Sequence, residues 1–220
     1  MLITAPPMPL GESLDGKDAD GNLQHEDKLG MIHTFAAYPQ TGGPNRNKAP
    51  FTGRPITAVL LRNTSGLTML GKRLVQIDRT AGYATTKNFD GYSSTLANRG
   101  VALLDPYLPT AGVVDDDIAW CIVGGPAPVL LPLVASDHTA DIAVGSELVA
   151  ATGTTTAVTT SGRITHVRFT NATAGETGAG FNAYNMAAGL LGRAMSARTS
   201  QETTAGADLL VDWCIRVFGR

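Results

Sequence analysis

Charge is scarce in this chain. Asp, Glu, Lys and Arg make up 16% of its 220 residues, and the formal net charge is −2. Soluble domains usually carry about a quarter charged residues. No basic field exists to hold nucleic acid or an anionic membrane surface, so neither is expected as a partner. Cysteine is scarcer still. The 2 residues, Cys121 and Cys214, are too few for a disulfide framework. Long apolar runs are missing too, and none approaches the ~20 residues a membrane-crossing helix needs. The opening "MLITAPPMPLGE" lacks a basic n-region and puts Pro6, Pro7 and Pro9 where the apolar part of a signal peptide would sit. The expectation is synthesis in a cytoplasm, with both thiols reduced.

What is present falls into two regions. Residues 1–55 hold Pro6, Pro7, Pro9, Pro39, Pro44, Pro50 and Pro55, with glycines between them. Prolines at this density break helices and remove strand donors. The same stretch carries Leu2, Ile3, Met31, Ile32, Phe35, Tyr38 and Phe51, which call for burial. The reading is an extended N-terminal arm whose anchors (Leu2, Ile3, Phe35, Tyr38 and Phe51 as candidate protein contacts) bury against a neighbour. That neighbour is either the chain's own core or another subunit.

Residues 56–220 read as one β domain. Short aliphatic or β-branched runs recur between turn residues: 56–63, 72–78, 100–105, 117–124, 127–135, 146–152, 162–170, 190–197 and 207–218. The spacing predicts an all-β fold, a small barrel or sandwich. The run 189–197 could also be a short helix, and 89–100 could hold a helical turn. Residues 151–162 read as a hairpin tip and 170–180 as a long loop.

The motifs that resemble chemistry fail on inspection. "AWCIV" (119–123) and "DWCIR" (212–216) place Trp and Ile on one face of a strand and Cys on the other. Each Cys stands alone, without a second ligand at zinc spacing, so both read as small buried residues. "GLTMLGKR" (66–73) nearly matches a phosphate-binding loop, but Arg73 replaces the magnesium-binding hydroxyl and the following residues continue as a strand. A hairpin turn fits better. "DGKDADGN" (15–22) places Asp18 and Asp20 as in a calcium loop, but Gly16 occupies the first ligand position. A solvated turn is expected. Ser136, Asp137 and His138 are neighbours in sequence, unlike a triad, and no nucleophile elbow accompanies them. His25, His33 and His166 are isolated. No catalytic residue, cofactor or metal site is expected, and the chain reads as a protein that works by its surface rather than as an enzyme.

The order "GVALLDPYL", "DDDIAWCIVGGPAPVLL", "IAVGSELVAATG", "TSGRITHV" and "LLGRAMSARTSQETTAGADLLVDWCIRV" resembles the capsid-decoration (head cement) proteins of tailed bacteriophages. In that pattern an apolar strand leads to a Gly-Pro turn, and a Thr/Gly-rich hairpin follows. The likeness covers roughly the C-terminal half and lies in pattern and order rather than in a signature motif. The resemblance implies a β-barrel or β-tulip domain, a homotrimer, and a place on the capsid exterior of a virion. There it would bridge subunits of the major capsid protein. Two other readings stay open: a tail or fibre β-module, and a carbohydrate-binding β-sandwich. Aromatic residues at 6% weigh against the last, because sugar platforms need exposed Trp or Tyr.

Overall fold

A computed structural model describes residues 6–35, 54–78, 84–88, 99–130, 143–150, 164–166, 192–197 and 208–214. Eleven strands account for most of them: β1 Ser13–Leu14, β2 Ile32–Phe35, β3 Ile56–Asn63, β4 Leu74–Asp78, β5 Ala84–Asn88, β6 Arg99–Leu104, β7 Ile118–Leu130, β8 Glu147–Ala150, β9 Ile164–His166, β10 Gly192–Ala194 and β11 Asp208–Cys214. A single 3-10 turn, Glu26–Lys28, is the one helical element among the described residues. The chain is all-β there, with mostly antiparallel pairing.

Hydrogen-bonded neighbours run β2-β3-β5-β4-β6-β7-β11-β10-β8-β9, and β3 also pairs with β7. Pairing therefore leaves β3 through β5, β4, β6 and β7 and returns to β3. Among the described residues the one parallel contact is between β3 and β5. Strand β7 is the spine. It meets β3 along Ile118–Gly124, β6 at Cys121–Ile122, β1 at Ile118–Ala119, and β11 along Gly124–Leu130.

Both faces of the central strands are covered, which explains their near-continuous apolar sequences. One cluster gathers Ala58, Leu60, Leu74, Leu103, Ile118, Trp120, Ile122, Val129, Leu209, Val211 and Trp213. The opposite faces supply Val59, Leu61, Val75, Ile77, Ala102, Leu104, Ala119, Cys121 and Val123 to a second cluster, joined by Met69 and Val113. A fully buried aliphatic or aromatic side chain contributes about 1.5–3 kcal/mol, so these two layers supply the main driving force of the fold.

The Trp-Cys-Ile repeat resolves into this layering. Trp120 and Trp213 both enter the first cluster, and each indole N–H meets a backbone carbonyl, Met8 O and Ala127 O, both at 3.0 Å. Cys121 faces the second cluster and is buried, as expected. Cys214 is exposed, which corrects the expectation that both thiols are buried. The difference is one of coverage. β7 has packed side chains on both faces, whereas in β11 Leu209, Val211 and Trp213 are buried, Leu210 and Asp212 half-buried and Cys214 exposed.

Two other expectations are corrected. The Gly-Pro turn does not exist, because Gly125 and Pro126 lie inside β7 and join the two predicted strands into one. The strand continues through a register shift at Thr57/Ala58 and through a positive φ of 85° at Gly125. Beyond Gly125 the strand pairs only with β11 among the described residues, a position that tolerates Pro126 and Pro128. Residues 66–73 are not a hairpin turn either. β3 and β4 are separated by β5, so this segment is a loop between strands that do not touch in the pairing order.

Residues 6–35 pack only in part on the chain's own core. Of the residues expected to be buried there Phe35 is, whereas Met31 and Ile32 are exposed, which corrects that expectation, because they lie on faces that no other described strand covers. Met8 and Phe35 are buried in the first cluster, with Leu10, Leu14 and Leu29 packed on it, and β2 pairs with β3. Alternation on β2 turns His33 and Phe35 toward Trp120, at centroid distances of 6.3 and 5.2 Å, while Ile32 and Thr34 stay exposed.

Candidate functional site

The sequence "RNTSG" ends β3 with two polar residues that are buried, Arg62 and Asn63. Buried polar groups demand partners, and these two find theirs in the surrounding loops. Arg62 Nη1 donates to Gly16 O at 3.0 Å and Asp116 O at 3.1 Å, and Nη2 donates to Gln24 O at 2.6 Å. Asn63 Nδ2 reaches Leu67 O at 2.7 Å and the carbonyls of Val113 and Val114 at 3.0 Å. Its Oδ1 accepts the Ser65 amide and hydroxyl at 3.1 and 2.7 Å. Asp115 Oδ1 accepts the Gly66 N–H at 2.8 Å, and Met69 and Val113 exchange backbone bonds. Two side chains thus tie three loops, 15–24, 64–70 and 113–117, into one end of the molecule. Gly16 is required there, since a Cβ on it would stand 1.7 Å from Asp116 O.

These clamped loops present apolar side chains to solvent. Leu67 is 60% exposed and Val114 51%, and Leu70 is also exposed. The clamped loops are also acidic: Asp15, Asp20 and Asp115 are exposed, and Asp18, Asp116 and Asp117 partly so. Lys17 offsets one charge by pairing with Asp116 at 2.5 Å, and this contact raises the lysine pKa.

The "DGKDADGN" stretch is the solvated turn expected of it. Asp18 Oδ1 accepts the amides of Asp20 and Asn22 at 3.0 and 2.8 Å, and the Asn22 bond is the main cause of its lowered pKa. Among the described residues no group of three or more His, Cys, Asp or Glu is placed to hold a metal ion. Nor is any helix there long and apolar enough to cross a membrane.

A buried group of titratable side chains lies where the end of β6 meets β7. Asp105 is fully buried. Its Oδ2 accepts the Gly11 N–H at 2.5 Å and its Oδ1 the Tyr107 N–H at 2.9 Å. Burial outweighs these two bonds and pushes its carboxyl up to about 7. Burial, reinforced by the Asp105 charge, also raises the Tyr107 phenol and the Cys121 thiol. No nucleophile activated by a lowered pKa emerges from this group.

Of the arm anchors, Phe35 lies in the core against Trp120, while Leu2, Ile3, Tyr38 and Phe51 fall outside the described residues. Ser136, Asp137 and His138 fall outside them as well. His25 adopts a left-handed conformation before the 3-10 turn, with Nδ1 2.8 Å from Lys28 Nζ. His166 sits on the terminal strand of the pairing order. Sequence reasoning missed Arg62, Asn63 and Asp105. The signal was available for the first two, because a polar pair closing an eight-residue apolar strand needs acceptors from the loops beyond it. No family model, curated protein or solved structure matches this chain.

Proposed function

We propose that the chain is a structural binding protein of the capsid-decoration kind, with a small barrel formed by β3, β5, β4, β6 and β7 as its body. The observation that supports this reading is the clamped loop end. Its exposed residues Leu67 and Val114 have their backbone carbonyls fixed by part-buried hydrogen bonds from the buried Asn63 amide, and the exposed Leu70 follows in the same loop. Preorganised apolar side chains on acidic loops suit a rigid protein partner that offers an apolar depression and Lys or Arg nearby. The partner in this reading is the major capsid protein of a phage head, with self-association as a trimer multiplying weak contacts. The carbohydrate reading is weakened by the burial of Trp120, Trp213 and Tyr107, which leaves no sugar platform among the described aromatic residues.

The test is sedimentation of the purified protein with isolated, emptied tailed-phage heads, alongside the heat resistance of those heads and native mass spectrometry of the protein alone. Co-sedimentation that is weakened by Leu67→Asp and by Val114→Asp, and heads that survive hotter treatment, are the expected results. Heads that neither bind the protein nor gain heat resistance overturn the proposal.

A further inference from the structure

Three Asp-Gly steps occur in the chain: Asp15 before Gly16, Asp20 before Gly21, and Asp90 before Gly91. The last falls outside the described residues. Such a step is chemically labile, because glycine has no side chain to keep its amide nitrogen away from the carboxyl carbon of the preceding aspartate. The two described steps share this chemistry, and the fold treats them in opposite ways.

At Asp15 the nitrogen that would attack is locked. Gly16 is buried, and its N–H donates to Asp117 Oδ1 at 3.1 Å. Its carbonyl accepts Arg62 Nη1 at 3.0 Å and the Gln24 N–H at 2.8 Å. The Asp116 carbonyl oxygen stands 1.7 Å from where a Gly16 Cβ would be, so this peptide has no room to turn. At Asp20 the surroundings are open. Asp20, Gly21 and Asn22 are exposed, and nothing lies within 4 Å of a would-be Gly21 Cβ. The Gly21 N–H meets the Asp18 carbonyl at 3.0 Å, and the Asp20 N–H meets Asp18 Oδ1 at 3.0 Å, both across a solvated turn. Gly21 also has a φ of 84°, a conformation that few residues other than glycine adopt.

We propose that Asp20 is a site of spontaneous isomerisation to isoaspartate, and thereby an acceptor for carboxyl-methylating repair, while the fold protects Asp15. The Gly21 nitrogen attacks Asp20 Cγ. A C–N bond forms, and the carboxyl hydroxyl leaves as water with the amide proton, closing a five-membered succinimide. Water then adds to the α-carbonyl carbon and breaks its bond to the Gly21 nitrogen. The main chain now runs through Cγ, and the α-carboxylate is free. One water leaves and one returns, so no oxidant or co-reactant is needed. The product has an extra main-chain carbon in the turn that Asp18 organises. The Arg62 contacts to Gly16 and Gln24 lie outside that turn, so the clamp beneath it survives.

The test compares native protein in warm neutral buffer with the same protein held unfolded in guanidinium. Both are digested with an endoproteinase that cuts before aspartate but not before isoaspartate. Methyl transfer from labelled S-adenosylmethionine by isoaspartate O-methyltransferase is the second readout. In the native protein Asp20 should convert within about tenfold of its unfolded rate, since an exposed turn opens at little cost. Asp15 should lag it by about a hundredfold or more and draw level in guanidinium. Global unfolding does not account for the native signal, because it exposes only about 10⁻³–10⁻⁶ of the molecules. Gly21→Ala should slow conversion at Asp20 in both states. Equal conversion of Asp15 and Asp20 in the native protein, or an Asp20 as protected as Asp15, overturns the proposal. A gap between the two sites that persists unchanged in guanidinium also overturns it, because local sequence rather than the fold would then set the difference.

Discussion

Replacing Gly125 with alanine tests whether β7 is one strand or two. Gly125 has φ 85°, and a Cβ there would stand 2.1 Å from Pro55 O and 3.0 Å from Ile56 Cα. Two penalties follow. Positive φ costs an L-residue about 1–2 kcal/mol, and alanine's smaller unfolded-state entropy returns about 0.4–1 of that. The clash adds an overpacking cost of about 1–3 kcal/mol, because the 54–56 backbone must move away from β7. That movement would strain the start of β3 and the Arg54–Asp212 ion pair beside it. Gly21 supplies the control, with φ 84° and nothing within 4 Å of its would-be Cβ. Gly21→Ala should therefore cost about 1 kcal/mol and Gly125→Ala about 3 kcal/mol. Urea melts with unchanged m-values measure both. Equal midpoints for the two variants would refute the close approach of residue 55 to Gly125, and with it the continuous strand.

Other outcomes follow from the same geometry. Native protein treated with a thiol reagent should label at Cys214 alone, with Cys121 reacting only at the rate of unfolding; rapid labelling of both would contradict the second cluster. Cys121→Ser should lower stability by about 1–3 kcal/mol by placing a hydroxyl in that cluster, and Cys214→Ser by under about 0.5 kcal/mol, as read by urea melts. Trp120→Ala should cost about 3–5 kcal/mol in the same assay. Arg62→Ala strips the donor from three carbonyls and should cost about 3 kcal/mol or more, with Arg62→Lys restoring only part, since an ammonium cannot span three acceptors in a fixed fork.

The strands that sequence made legible are those with strong apolar runs. The run 56–63 coincides with β3, the run 100–105 overlaps β6 at all but its first residue, and the run 207–218 contains β11. Strand β5, Ala84–Asn88, has the sequence ATTKN and no apolar pattern to announce it. Strands β1 and β2 were hidden for another reason: they sit in a proline-rich segment, and what orders them is long-range pairing with β7 and β3. Propensity does not encode such contacts. The Gly-Pro error has a similar root, because a glycine at positive φ marks a turn or a bulge equally well. The clamped loops and Asp105 depend on which chain segments meet, and spacing along one sequence does not contain that.

Strand β7 also sets a schedule. Its partners come from both ends of the chain: Ser13 meets Ala119, Leu60 meets Trp120, and Leu209 meets Val129. On a ribosome adding about 5–20 residues per second, β1 emerges long before the edge it will occupy, and β7 itself waits for β11. Contacts so distant in sequence make closure slow. For several seconds of each synthesis the nascent chain carries an apolar strand with one edge unfilled, so the interval most exposed to aggregation or chaperone capture lies between the emergence of residue 130 and that of residue 214.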